Sequence, residues 1–410
     1  MEVTFYYDVV CPYAYLASTR VEQLAERCDA TIRWVPILLG GVFRHAGGPD
    51  DPNLQLSAPR ARLNLLDMHR WADRWGVPLN LPAEHPRRSV EAMRLLAGCP
   101  PEKLVMLSHE LFRAYWVRGV DIADASVLEG IAKLFRVDPA IIHSAEAKQA
   151  LYDTTAEAAG HGVFGVPAFV VDGELIWGQD RLHLLADRLG AERPTHSTAT
   201  PVGRGGRVRF FHDFASPFSY LGSTQIERVA QASGAVVDWS PILLGALFRD
   251  IGTADVPLFE MSEPKRRYLG KDLDDWAAWW GVPFKFPSHF PIRTIAPLRV
   301  AIAEPAATPH LYRAAWADDR PIDDPEVLRA VLDEAGFDGA ALLERTQDPA
   351  VKARLRANTE AAKAAGACGV PSFEVHRGSG SPILFWGQDR LDMVGHTLDG
   401  WTPPDAREEL

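Results

Sequence analysis

The feature that most constrains this chain is that its second half restates its first. VTFYYDVVCPYAYL, from Val3, returns as VRFFHDFASPFSYL from Val208, 205 residues later. Trp34 and the PILLG run from Pro36 return without a gap as Trp239 and PILLG from Pro241. WGVP at Trp75 recurs at Trp280, FGVPAFVV from Phe164 matches CGVPSFEV from Cys368, and WGQDRL stands at both Trp177 and Trp386. Whatever folds one copy must fold the other, so the problem reduces to one unit used twice. The expected boundaries are a first domain over 1–190, a linker over 191–207 and a second domain over 208–400. The linker run AERPTHSTATPVGRGGR has Pro, Gly, Ser and Thr but no apolar periodicity.

Inside each copy the periodicities order the elements. VTFYY is β-branched and aromatic and reads as a strand. Ala17, Val21, Leu24, Ala25 and Cys28 then share one helix face, as do Gly222, Ile226, Val229, Ala230 and Ser233, so Cys28 reads as a small core residue. ATIRWVPILL is a second strand, and a helical crossover between the two implies parallel pairing. Helical patterning fills about 55–160 and about 260–363, with Trp276, Trp279 and Trp280 at i, i+3 and i+4. AFVVDGELIW reads as two short strands about an Asp172-Gly173 turn, and DRLHLLADRLG as a closing helix. The order predicts an α/β fold with an inserted all-α subdomain in each copy.

Composition narrows the partners. A net charge of −11 with 24% charged residues leaves no basic stripe for nucleic acid or anionic lipid. The opening MEVTFYYD lacks the layout of a signal peptide and no run approaches 18 apolar residues, so a cytoplasmic protein is expected, with no membrane partner. Cys11, Cys28, Cys99 and Cys368 are too scattered for a disulfide framework, and neither the cysteines nor the thirteen histidines have metal-ligand spacing.

Chemistry concentrates at three motifs. Pro12 and Pro217 fall at the first position of a helix, which makes Cys11 and Ser216 its N-caps. Unpaired amides and the positive helix end stabilise an anion there, so a thiolate bound at the cap, or a cysteine at it, has a lowered pKa. Serine is a preferred cap without any function, whereas cysteine is a poor cap, which favours chemistry for Cys11. That reading makes Cys11 the most alkylatable cysteine. Val166-Pro167 and Val370-Pro371 precede a strand, as either a rigid lead-in or a cis bond that turns the valine backbone toward a peptide-like ligand. Asp180 and Asp389 of WGQDRL are either helix caps or ligand contacts, and preservation of all six residues in both copies favours a contact. Trp71, Trp75, Trp116 and Trp316 sit at helical spacing and read as core or, alternatively, as the lining of an aromatic pocket.

Together, FYYD-x-x-[C/S]-P-[Y/F]-[A/S]-Y-L, WGVP, GVP and WGQDRL, in this order over nearly all of both copies, resemble the DsbA-like superfamily. Within it the pattern is similar to the branch of kappa-class glutathione transferases and 2-hydroxychromene-2-carboxylate isomerases. The resemblance implies two tandem thioredoxin-like domains, each with its helical insertion, cis bonds before Pro167 and Pro371, and a site for glutathione or another low-molecular-weight thiol between the subdomains. By the same resemblance Ser216 hydrogen-bonds the thiolate, Val370 and Pro371 present backbone to the tripeptide, and Asp389 and Arg390 lie near its γ-glutamyl end. Lys265 and Tyr268, in PKRRY, complete that second-copy set. The first copy keeps Val166, Pro167, Asp180 and Arg181 but has Cys11 for serine and PRARL, with Arg60 and Leu63, for PKRRY.

The implied activity is a thiol-dependent isomerase or glutathione transferase acting on a small electrophilic aromatic or unsaturated substrate. The alternatives are a monothiol oxidoreductase at Cys11, since Cys11-Pro12-Tyr13-Ala14 lacks a resolving cysteine, and a non-catalytic thiol-binding tandem module. An intramolecular pseudo-dimer of the two repeats is expected.

Overall fold

The computed structural model describes residues 1–47, 56–193 and 205–407. The expected linker therefore lies for the most part outside the described residues. The strands are β1 (Glu2–Tyr7), β2 (Thr31–Pro36), β3 (Ala168–Val171), β4 (Glu174–Trp177), β5 (Arg207–His212), β6 (Val236–Pro241), β7 (Ser372–His376) and β8 (Ile383–Trp386). The helices of the first repeat are α1 (Pro12–Ser18), α2 (Val21–Arg27), α3 (Leu39–His45), α4 (Ala58–Trp75), α5 (Val90–Gly98), α6 (Pro101–Trp116), α7 (Ala125–Leu134), α8 (Ala145–Gly160) and α9 (Leu182–Arg188). Those of the second are α10 (Pro217–Ser223), α11 (Ile226–Ala232), α12 (Leu244–Ile251), α13 (Glu263–Trp280), α14 (Ile295–Ala303), α15 (Thr308–Trp316), α16 (Pro325–Glu334), α17 (Gly339–Arg345), α18 (Pro349–Ala364) and α19 (Leu391–Leu398).

Each repeat builds one four-stranded sheet, β2-β1-β3-β4 and β6-β5-β7-β8. β1 runs parallel to β2 and antiparallel to β3, and β3 pairs antiparallel with β4. The parallel pair is what a helical crossover demands, and β1 is buried along Val3 to Tyr7 because it is central and covered on both faces. Asp172 (φ 49°) and Gly173 (φ 79°) are both left-handed, as a tight two-residue hairpin turn requires. Ring contacts knit each sheet: Phe5 stacks 5.2 Å from Phe169 and meets Trp34 edge to face at 5.0 Å, and Phe210 repeats this with Phe373 and Trp239. Helices α4–α8 and α13–α18 form the two all-α insertions. No helix among the described residues is long and apolar enough to cross a membrane.

The compact units follow the repeats except at two segments. The first unit holds Met1–Gln55, Asp67–Thr195 and Ser262–Tyr268, and the second holds Leu56–Leu66, His196–Met261 and Leu269–Leu410. Each unit thus takes the start of one long helix, α13 or α4, from the other repeat.

Candidate active site

The loop that leads from the first strand to the first helix is fixed by a buried carboxylate that sequence reasoning missed. Asp8 accepts the Val10 amide at 3.2 Å on one oxygen, and the Leu39 amide and the Ser89 hydroxyl, each at 3.0 Å, on the other. Its own carbonyl accepts the Cys11 amide at 3.0 Å. Asp213 does the same with the amides of Ala215 and Leu244 and the Thr294 side chain, and its carbonyl takes the Ser216 amide. Burial pushes both carboxyls up to about 6, against the pull of these donors. The aspartate shared by FYYD and FFHD, one repeat apart, was the available signal. Trp116 and Trp316 complete the anchor: both are fully buried, with indole N–H groups donating to the carbonyls of Val9 (2.9 Å) and Phe214 (2.8 Å). They are core residues that brace the loop, not a pocket lining. Trp71 and Trp75 pack edge to face on α4.

At the head of the helix the loop delivers Cys11 and Ser216. The Cys11 thiol donates to the Val166 carbonyl at 3.2 Å, and the Ser216 hydroxyl donates to the Val370 carbonyl at 3.1 Å while accepting the Ser219 amide at 3.1 Å. The bonds Val166-Pro167 and Val370-Pro371 are cis, as are His85-Pro86 and Phe290-Pro291, which no motif announced. The expected lowering of the Cys11 pKa is overturned. α1 has only seven residues, the side chain is 7% exposed, and burial pushes the thiol up to about 12 although the amides of Tyr13 and Ala14 pull it down. Cys99 and Cys368 are also buried and raised, and Cys28, at the end of α2, is the partly exposed member of the four.

WGQDRL docks onto the same place. The Gly178 amide donates to the Pro167 carbonyl and the Gly387 amide to the Pro371 carbonyl, both at 2.9 Å. Gly178 (φ 107°) and Gly387 (φ 102°) could bear no side chain, since a Cβ would fall 2.5 Å from the carboxylate of Asp180 or Asp389. The cap reading of these aspartates fails: each lies in a single 3-10 turn, and α9 and α19 start behind Arg181 and Arg390 with no side-chain cap bond. Instead Asp180 pairs with Arg181 and Asp389 with Arg390, both at 3.1 Å and nearly buried. The indoles of Trp177 and Trp386 lie over Gly165 and Gly369, where an added Cβ would stand 2.9 Å from the ring nitrogen.

Lys265 and Tyr268 are not with Ser216. The Tyr268 hydroxyl accepts the Trp177 amide at 2.9 Å, its ring lies 5.5 Å from Phe164, and the Lys265 ammonium stands 6.0 Å over the Trp177 ring, all within the first unit. The matching PRARL residues serve the second unit: the Arg60 guanidinium lies 4.5 Å over Trp386, and Leu63 packs with Cys368, Val370 and Leu384. The sequence placement failed because a repeat is a stretch of chain, while packing is decided where α4 and α13 begin. In place of the expected second-copy set, the structure groups Cys11, Val166, Pro167, Asp180, Arg181, Lys265 and Tyr268 in one unit. The other holds Ser216, Val370, Pro371, Asp389, Arg390 and Arg60.

A family model described as the DSBA-like thioredoxin domain matches residues 2–190 and 207–399. The chain is 32% identical over 197 residues to 2-hydroxychromene-2-carboxylate isomerase of Pseudomonas putida, covering 46% of this chain and 95% of that one. It is 27% identical over 214 residues to glutathione S-transferase kappa 1 of Homo sapiens, covering 48% and 93%. Among solved structures, a 2-hydroxychromene-2-carboxylate isomerase matches at 29% identity and a TM-score of 0.42, over 46% of this chain and 95% of that one.

Proposed function

Because the chain belongs to the DSBA-like thioredoxin domain family, we propose that it is an enzyme that uses glutathione, or another low-molecular-weight thiol, to isomerise or conjugate a small electrophilic substrate. The substrate class is aromatic or unsaturated, by likeness to relatives whose names are isomerase and glutathione transferase. One observation carries the reading: twice, the side chain at the head of the first helix meets the carbonyl that precedes a cis proline, 3.2 Å away for Cys11 and 3.1 Å for Ser216.

The residues present fit a peptide-like thiol. Among the described residues, the Trp177 ring nitrogen and the Gln388 amide nitrogen are buried without a hydrogen-bond partner, donors that a ligand's acceptors could satisfy. Arg181 and Arg390, each beside its aspartate, offer a charge pair to the amino and carboxylate groups of a γ-glutamyl end. Glutathione, when bound, supplies a thiolate that attacks the electrophilic carbon and, in an isomerisation, departs again.

The chain's share is to keep that sulfur ionised and placed. Ser216 exchanges its bond to the neutral Val370 carbonyl for a stronger one to a charged sulfur. Burial keeps the Cys11 thiol protonated at neutral pH, so it acts as a donor of the same kind, though weaker, and not as the nucleophile of an oxidoreductase.

Glutathione titration and turnover of the unmodified chain, Cys11→Ala and Ser216→Ala test this. Ser216→Ala is expected to lower kcat roughly 100-fold, the scale for losing one donor to a reacting anion, and to move the pH–rate profile upward. An unmodified chain that binds no thiol, or a Ser216→Ala profile that does not move, refutes the proposal.

A further inference from the structure

The exchange of segments between repeats has a functional content that rests on the thiol-site reading above. In the first unit, β4 is an edge strand, and Ala168 and Trp177 face each other across β3 and β4. Gly178 and Pro167, one step along, are the hydrogen-bonded pair, so the Trp177 amide points away from the ladder. Tyr268 receives it, at 2.9 Å, and is itself 8% exposed. That bond and the Phe164 contact fix the second turn of α13, leaving Lys265, one turn back on the same face, beside Trp177 and partly exposed. Trp177 is in turn the first residue of WGQDRL, whose Gly178 is tied to Pro167.

The second unit carries the same frame with other groups. Trp386 has the register of Trp177, with Gly387 tied to Pro371, but Leu63 stands for Tyr268, Cys368 for Phe164, and the Arg60 guanidinium, 4.5 Å over the Trp386 ring, for the ammonium. A lysine is a compact point charge with rotating donors, while an arginine presents its donors as a planar fork.

We infer that Lys265 and Tyr268 belong to the thiol site of Cys11 and Arg60 to that of Ser216. Each repeat thus supplies the cation that receives a thiol ligand's carboxylate in the other repeat's site, and the two sites have diverged in that cation.

Calorimetry with glutathione on the full chain separates the sites by background. Asp389→Asn disables the Ser216 site and leaves that of Cys11, and Asp180→Asn does the converse. In the Asp389→Asn chain, Lys265→Met is expected to weaken binding about tenfold, the scale of one charge-assisted hydrogen bond, and Lys265→Arg to restore most of it. In the Asp180→Asn chain, Lys265→Met is expected to change affinity by less than about twofold, because independent sites do not couple. Arg60→Met should show the reverse dependence. Should either aspartate variant fail to fold, Arg390→Lys and Arg181→Lys take their places. Loss from Lys265→Met only in the Asp180→Asn chain, or equally in both, overturns the assignment while leaving the thiol enzyme standing. An unmodified chain that binds no thiol overturns both readings, and does so before any variant is made.

Discussion

Asp8 offers the sharpest quantitative test of the site's construction. Its folded pKa of about 6, against an ordinary 3.8, means the folded state holds a proton that the unfolded chain has already released. Stability from this group is therefore fully present below pH 3.8 and is lost as the pH rises through 6. A rise of roughly two units at 1.36 kcal/mol each makes the buried charge cost about 3 kcal/mol at neutral pH, of which about 2 kcal/mol returns between pH 7.5 and 4.5. Asp8→Asn keeps the size of the side chain and removes the charge. Urea unfolding of both proteins across that pH range should show one transition shifted by the substitution, with the unmodified chain gaining about 2 kcal/mol on the variant as the pH falls. Parallel profiles would refute the claim that an ionisable carboxyl is buried among the amides of Val10 and Leu39. The phenol of Tyr7, driven upward by burial, stays silent throughout the window. Asp213 makes a less clean probe, because burial holds neighbouring His212 at about 3, and stability from that group is lost in the opposite direction, as the pH falls below 6.5.

Two further outcomes are expected. Alkylation of the folded protein at pH 7.5, mapped by mass spectrometry, should mark Cys28 first and Cys11 only slowly, since Cys11 is buried and raised to about 12; early labelling of Cys11 would contradict that environment. Gly369→Ala should cost about 1–3 kcal/mol in thermal or urea unfolding and weaken thiol binding, because its methyl would meet the Trp386 ring nitrogen at 2.9 Å and push the Val370 backbone; an unperturbed variant would show that the indole yields freely.

Features set by local pattern were readable in the residues. The Asp172-Gly173 turn and the proline-led first helix follow from spacings of a few residues, the parallel β1–β2 pair from the helical crossover between its strands, and the duplication from runs that return about 205 residues later. The cis bonds before Pro167 and Pro371 follow from the family resemblance that the repeated motifs carry. Features set by packing were not. Asp8 gathers donors from residues 10, 39 and 89, and no window of sequence joins them. The Cys11 pKa turned on burial, which competes with the helix amides and wins. Asp180 stands before a helical pattern, yet a 3-10 turn comes first and the carboxylate turns to Arg181. The resemblance groups Lys265 and Tyr268 with Ser216 of their own repeat, whereas Tyr268 bonds to Trp177 of the other, 91 residues before it.

The capped amide of Trp177 also bears on how the molecule keeps to itself. An open sheet border invites another extended segment to add on, and such borders seed aggregation unless they are short or already engaged. β4 is four residues long, and its outward terminal donor is held by a phenol. A foreign strand would find little to pair with on that side of the first sheet.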